Sequence, residues 1–219
     1  MLRRFLTALF PLGLASTCSH GHPTGHHGTG MHYRFENAAQ WAVRFDDPAR
    51  DDWQKPNEVL AALALLPDSK VADLGAGTGY FAVRAAKLVP KGTVYAVDLE
   101  LDMVAHINER ARTHGISNVK GVLASAASAN LPEAVDVVLV VDTYHHIHDR
   151  TAYFKALSER LLPGGTVAIV DYRLGQPMGP PEAHRLSDAQ VKSEMLAAGY
   201  TLRAEHTFLP NQYFLEFTR

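Results

Sequence analysis

The 219-residue chain has one cysteine, almost no imbalance of charge and no apolar run long enough to cross a bilayer. A single Cys excludes an internal disulfide framework and any cysteine-based zinc or iron–sulfur centre. With 21 Lys and Arg against 23 Asp and Glu, the formal charge of −2 provides no basic footprint for a phosphate backbone, so no nucleic-acid partner is expected. The longest apolar stretch, Phe5 to Ala15, is interrupted by Pro11 and Gly13 and falls short of the roughly 20 residues a spanning helix needs. What the chain does contain is 47% hydrophobic residues, enough for one ordinary globular domain with some 30 residues to spare.

Those spare residues are at the front. Cys18 and five of the 12 His (His20, His22, His26, His27, His32) fall within the first 32 positions. Arg3 and Arg4 precede the apolar stretch, giving residues 1–18 the proportions of an export signal. Ala15-Ser16-Thr17-Cys18 resembles the lipobox of bacterial lipoproteins, in which the Cys is lipidated and becomes the new N-terminus. The expected location is therefore exported, with Cys18 as a lipid anchor to a periplasmic membrane. The alternatives are a conventional cleaved signal, or a cytoplasmic protein that starts at Met31. Residues 19–32 are rich in Gly and His and too polar to pack, so they read as a tether whose imidazoles could bind metal or simply keep it soluble.

From residue 33 onward the pattern is that of a folded domain, opening with a helical segment over 33–66. Phe35, Ala38, Ala42 and Phe45 share one helical face, and Asp46-Asp47-Pro48 stops that helix. Trp53-Gln54-Lys55-Pro56 reads as a loop, with Asn57 capping a second helix to about Leu66. Strands are expected at Lys70–Leu74, Thr93–Asp98, Val119–Ala124, Val135–Val141 and Thr166–Asp171. The helices between them are expected at Tyr80–Val89, Asp102–His114 and Arg150–Leu162. Short Val/Ile/Leu runs separated by helices indicate parallel strands buried on both faces, a doubly wound α/β sheet. Ser187 and Gln190 form a capping box for a helix ending at Gly199. The last two strands, near Tyr200–Phe208 and Gln212–Phe217, are too close for a parallel crossover and must pair as an antiparallel hairpin.

The chemistry begins where the first strand turns into its helix. Asp73-Leu74-Gly75-Ala76-Gly77-Thr78-Gly79-Tyr80 spaces three glycines by two at the carboxyl end of a strand, the crevice where open α/β sheets bind ligands. The dinucleotide fingerprint G-x-G-x-x-G would need Gly where Tyr80 stands, which argues against an NAD-linked oxidoreductase. Asp98 ends the next strand 21 residues after Gly77, placed to accept hydrogen bonds from ribose hydroxyls.

Together these residues resemble the class I S-adenosylmethionine-dependent methyltransferases, closest to the small-molecule branch with D-L-G-x-G-T-G, over roughly residues 55–219. The resemblance implies a Rossmann-like, mostly parallel sheet with a C-terminal antiparallel hairpin, and S-adenosyl-L-methionine as cofactor. It places Asp73, Gly75, Gly77 and Gly79 at the methionine half of that cofactor, with Ala76 and Tyr80 of the same turn also among the cofactor-binding residues. It further places Asp98 at the ribose, Leu99 and Ser125 at the adenine, and Asp142 where methionine and acceptor meet. Ser125 stands where many members carry an Asp. Leu162-Pro163-Gly164-Gly165 matches the P-G-G of the family's turn before strand five.

Methyl transfer from a sulfonium needs alignment and exclusion of water, with a base where the acceptor must lose a proton. His145 and His146 follow the fourth strand on the ligand side and are the candidate bases, their other role being to hold the loop. A metal site built from this pair with His148 or His184 is a third reading. Trp53, Lys55, Tyr144, His184 and Arg185 are candidates for contact with a small-molecule acceptor, and residues 33–66 resemble a lid. A module that binds cofactor or metal without turnover is the alternative to an active enzyme.

Overall fold

In the computed structural model residues 37–219 are described, and the leader, the tether and Phe35 lie outside them. Three short helices come first: α1 (Ala38–Phe45), α2 (Arg50–Gln54) and α3 (Pro56–Ala62). The expected loop at 53–56 is instead a joint between two helices. Trp53 and Gln54 complete α2, Lys55 takes a left-handed φ of 47°, and Pro56 starts α3. Proline suits that first position because its missing N–H would have had no helical partner there, so Asn57 is not needed as a cap.

The strands are β1 (Lys70–Leu74), β2 (Thr93–Asp98), β3 (Val119–Leu123), β4 (Val135–Val141), β5 (Leu161–Tyr172), β6 (Thr201–His206) and β7 (Gln212–Thr218). They form one sheet in the order β3-β2-β1-β4-β5-β7-β6. β1 to β5 run parallel, and β7 pairs antiparallel with both β5 and β6. Helices α4 (Ala82–Leu88), α5 (Leu101–Thr113), α6 (Arg150–Leu157) and α7 (Asp188–Ala197) complete the fold. Alternate residues of the central strands enter different cores. Val137, Leu139 and Val141 pack with α3, α4 and α5, whereas Val138 and Val140 pack with α6 and α7. This double covering is why β4 reads as a continuous apolar run.

Three sequence expectations are corrected. The sixth helix stops at Leu157 rather than Leu162: Ser158–Arg160 is a 3-10 turn, and Leu161 already pairs with Val135. The register then jumps to Val137↔Thr166, so Leu162-Pro163-Gly164-Gly165 forms an irregularity within β5 rather than a turn ahead of it. The capping box is half made. Ser187 accepts from the Gln190 N–H at 3.1 Å, but the Gln190 side chain turns to Glu194 at 2.9 Å. Among the described residues no helix is long and apolar enough to cross a membrane.

Candidate active site

The carboxyl ends of β1, β2, β4 and β5 carry Asp73, Asp98, Asp142 and Asp171, and the site is built around these four acids. Gly75 (φ 76°) turns the chain out of β1, with its N–H and that of Ala76 both bonded to the Val97 carbonyl. A Cβ on Gly75 would lie 2.2 Å from Thr143 Oγ1, so glycine is what lets the β1 turn press against the corner after β4. At Gly77 (φ 55°) the nearest neighbour of a Cβ would be the Phe45 ring at 3.2 Å, which places the end of α1 over the glycine turn. Gly79 hydrogen-bonds back to Ala76 and leads into α4.

Asp98 accepts from the Gly77 N–H at 2.8 Å and from the Glu100 N–H at 2.9 Å, one bond to each oxygen. Burial raises its pKa, and these N–H groups oppose the rise. Each oxygen keeps a lone pair for a hydroxyl. Leu99 and Leu123, beside Asp98 in sequence and in strand register, are exposed apolar side chains, a surface suited to the face of a base. Ser125 lies at the same rim, with its N–H bonded to the Ser128 carbonyl in a turn after β3.

Asp73 alone of the four acids keeps a carboxylate oxygen without a partner. Its side chain is buried, and Oδ2 is one of two buried side-chain polar atoms among the described residues with no hydrogen-bond partner, the other being the Tyr213 hydroxyl. Burial first, and then the neighbouring Asp98 charge, push its carboxyl up to about 7, against the lowering effect of the Ala82 N–H and Arg50. A buried carboxylate oxygen with nothing to accept calls for a donor that the chain itself does not supply.

Asp142, at a left-handed φ of 54°, is held from three sides. Gln54 Nε2 donates to Oδ2 at 2.9 Å, Gln212 Nε2 donates to Oδ1, and the Tyr172 hydroxyl reaches Oδ2 at 3.4 Å. Arg50 lies 3.9 Å away. Burial and the nearby Asp171 push its pKa up to about 6 despite those donors.

His145 Nδ1 lies 2.9 Å from both oxygens of Asp171, whose Oδ2 also accepts the His145 backbone N–H at 3.2 Å. The carboxylate fixes the ring as the Nδ1–H tautomer and leaves Nε2 with the lone pair. Burial pulls the imidazole down, but the Asp171 bond and charge outweigh it, and its pKa is raised. His146 packs against His145 with ring centroids 4.1 Å apart and the rings tilted by 42°. Desolvation, then the charges of His145 and His184, pull its pKa below the usual imidazole range.

Several expected contacts have other work. Tyr144 is fully buried, stacked on Phe154 with its hydroxyl on Glu194 at 2.9 Å, so it belongs to the core and not to an acceptor surface. Tyr80 points away from the glycine turn: its hydroxyl donates to Asp51 of α2, and Arg50 and Arg84 lie 4.1 and 3.9 Å from its ring centroid. Arg185 donates to the carbonyls of Pro180 (2.8 Å), Arg173 (2.9 Å) and Gln176 (2.7 Å), which ties down the 173–185 loop and leaves no free fork for an anion. Lys55 donates to the Phe208 carbonyl at 3.2 Å. Trp53 does stay at the rim, 6.2 Å from the Tyr172 ring, and His184 sits near enough to His146 to affect its charge. Among the described residues no group of three His, Cys, Asp or Glu side chains is placed to hold a metal ion, which removes the support for a site built from His145, His146, His148 and His184.

Asp171, Gln54, Gln212 and Arg50 do not stand out in the sequence as site residues. Asp171 had a signal, an acid closing an apolar strand as Asp98 does; the two glutamines had none.

The sheet order, the glycine turn braced on Thr143 and the acid at the end of β2 make up the Rossmann-like fold that this chain shares with class I S-adenosylmethionine-dependent methyltransferases. The family described as "Methyltransferase domain" matches residues 71–165. Phosphoethanolamine N-methyltransferase 1 of Arabidopsis thaliana is 31% identical over 66% of this chain and 31% of its own length. Trans-aconitate 2-methyltransferase of Rhodopseudomonas palustris is 27% identical over 72% of this chain and 64% of its own. The chain thus spans from about a third to just under two thirds of these relatives. A SAM dependent methyltransferase from Aquifex aeolicus shares the fold with a TM-score of 0.77, at 24% identity, over 83% of this chain and 97% of that one.

Proposed function

We propose that the chain transfers a methyl group to a small-molecule acceptor, with the His145–Asp171 pair as general base. The observation that carries the reading is the unpartnered Asp73 oxygen beneath a glycine turn whose next strand ends in Asp98. When bound, S-adenosyl-L-methionine supplies an electrophilic methyl group on a sulfonium. Asp98 accepts the ribose hydroxyls, Leu99 and Leu123 cover the adenine with Ser125 at its edge, and Asp73 and the Gly75–Gly79 turn hold the methionine end. Phe45 and α2, lying over the turn, exclude water from the reacting atoms. Asp142, Trp53, Tyr172, His146 and His184 surround the acceptor. His145 Nε2 takes the acceptor's proton while Asp171 stabilises the imidazolium.

Calorimetric titration with S-adenosylmethionine and with NAD tests the cofactor, and heat from NAD alone would overturn the reading. Transfer of labelled methyl to a panel that includes phosphoethanolamine and trans-aconitate, the compounds named for the relatives, separates an active enzyme from a binding module. A panel of small molecules giving no product at any pH, alongside tight cofactor binding, would favour the module. The export reading of residues 1–18 and the lipid on Cys18 stand as a proposal about residues outside the described ones. The intact mass of the native N-terminus distinguishes a lipidated Cys18, a cleaved signal and a start at Met31.

A further inference from the structure

Gln54 and Gln212 are wholly buried, and they come from opposite ends of the fold: the second lid helix and the first residue of β7. A buried amide left unbonded costs about 1–3 kcal/mol, so it is informative that every polar atom of both side chains has a partner. Gln54 Nε2 donates to Asp142 Oδ2 at 2.9 Å and to Gln212 Oε1 at 3.1 Å, and its Oε1 accepts from Arg50 Nε at 2.7 Å. Gln212 Nε2 donates to Asp142 Oδ1. Each carboxylate oxygen of Asp142 is thereby held by a different glutamine, and the two glutamines are bonded to each other.

Asp142 also has a left-handed backbone that a non-glycine residue keeps only where its surroundings over-determine it. Its neighbour Thr143 is the residue pressed against Gly75. The orientation of the Asp142 carboxylate is therefore tied to the glycine turn on one side and to the lid on the other. Leu at either glutamine position would fill the volume without donating. Glu would remove the donor and add a charge of the same sign.

We propose that Gln54 and Gln212 are positioning residues that form a clamp on Asp142, with Gln212 fixed in the sheet and Gln54 supplied by α2, so that docking of the lid and orientation of the carboxylate are a single event. For the identity of the ligand this rests on the methyltransferase reading; the clamp itself does not.

The test has one arm without ligand and one with it. Hydrogen exchange of the peptide covering Arg50–Gln54 is measured in the ligand-free wild type, Gln54→Leu, Asp142→Asn and the double variant. Calorimetry gives the Kd for S-adenosylmethionine of the same four proteins. Each single change should raise exchange in α2 by tenfold or more and weaken binding by tenfold or more. The double variant should lie within twofold of Asp142→Asn alone, because both changes break one clamp. Effects that multiply in the double variant, or a Gln54→Leu protein with wild-type exchange, would overturn the proposal. Gln212→Leu attacks the clamp from the sheet side and replaces Gln54→Leu in the cycle should that variant not fold. Absence of binding by the wild type would refute the cofactor assignment, and the exchange arm would still decide the clamp.

Discussion

Replacing Gly75 by Ala tests whether the β1 turn and the corner after β4 are in contact as described. At φ 76° an L-residue pays about 1–2 kcal/mol for a left-handed backbone. The new Cβ would lie 2.2 Å from Thr143 Oγ1 and 2.5 Å from Cγ2, so Thr143 must move, at about 1–3 kcal/mol for overpacking. Moving it also strains the 2.9 Å bond from Thr143 Oγ1 to the Val141 carbonyl, worth about 0.5–1.5 kcal/mol. Together these come to about 2.5–6.5 kcal/mol, a large part of the roughly 5–15 kcal/mol that holds a typical domain. Urea denaturation should show that loss as a lower midpoint with an unchanged slope. In a Thr143→Gly background the clash disappears, and Gly75→Ala should cost only the backbone part, about 1–2 kcal/mol. A loss below about 0.5 kcal/mol in the wild-type background, or equal losses in both backgrounds, would refute the contact.

Three further outcomes are expected. Asp73 has its folded pKa raised to about 7 from 3.8, so its contribution to stability is fully present below about pH 4 and is lost as pH rises through 7. Asp73→Asn should therefore unfold at higher urea than wild type at pH 8, with a gain on the order of 1–3 kcal/mol that vanishes at pH 4, while binding S-adenosylmethionine less tightly. No pH-dependent difference would sink that assignment. Asp171→Asn removes the bond and charge that do most to raise the His145 pKa, and leaves the burial that lowers it against the Asp142 charge alone. The acid limb of the kcat profile should move to lower pH. The stabilisation by the pair, about 1.5–3 kcal/mol below the ordinary imidazole pKa of about 6.5 and fading as pH rises through the raised value, should be lost. An unmoved acid limb would remove His145 from the base role. Arg185→Leu frees three carbonyls of the 173–185 loop, so proteolysis there should speed up and the acceptor KM should rise with the cofactor Kd unchanged. An acceptor KM equal to wild type would separate that loop from the acceptor.

The parallel half of the sheet was legible because a buried strand leaves a short apolar run of Val, Ile and Leu bounded by turn residues. Lys70–Leu74, Thr93–Asp98 and Val135–Val141 were expected at the bounds observed. Leu161 and Leu162 were misread because they extend the apolar spacing of α6, and only pairing with Val135 reveals that the helix has already ended. α2 left no trace in the pattern, for five residues are too few to show a period. Its Asp51 is held by Arg84 at 3.0 Å and by the Tyr80 hydroxyl, partners some 30 residues away. The same divide runs through the site. The glycine turn and Asp98 come from one contiguous stretch and could be read there. The clamp on Asp142 joins positions 54, 142 and 212, and a buried glutamine looks like any other glutamine until its partners are known.

The hairpin does more than widen the sheet. β7 lies between β5 and β6, so the strand that comes later in the sequence occupies the inner place. While the ribosome is still working upstream of Gln212, β5 has one bare edge of backbone N–H and C=O groups, and Asp142 lacks half of its clamp. An unpaired apolar edge invites pairing with other chains. Nascent chains halted before residue 212 should therefore be sticky and unable to hold ligand, and both properties should change together once residues 212–218 emerge. The domain's competence to bind should therefore come late in its synthesis, with one strand of seven residues.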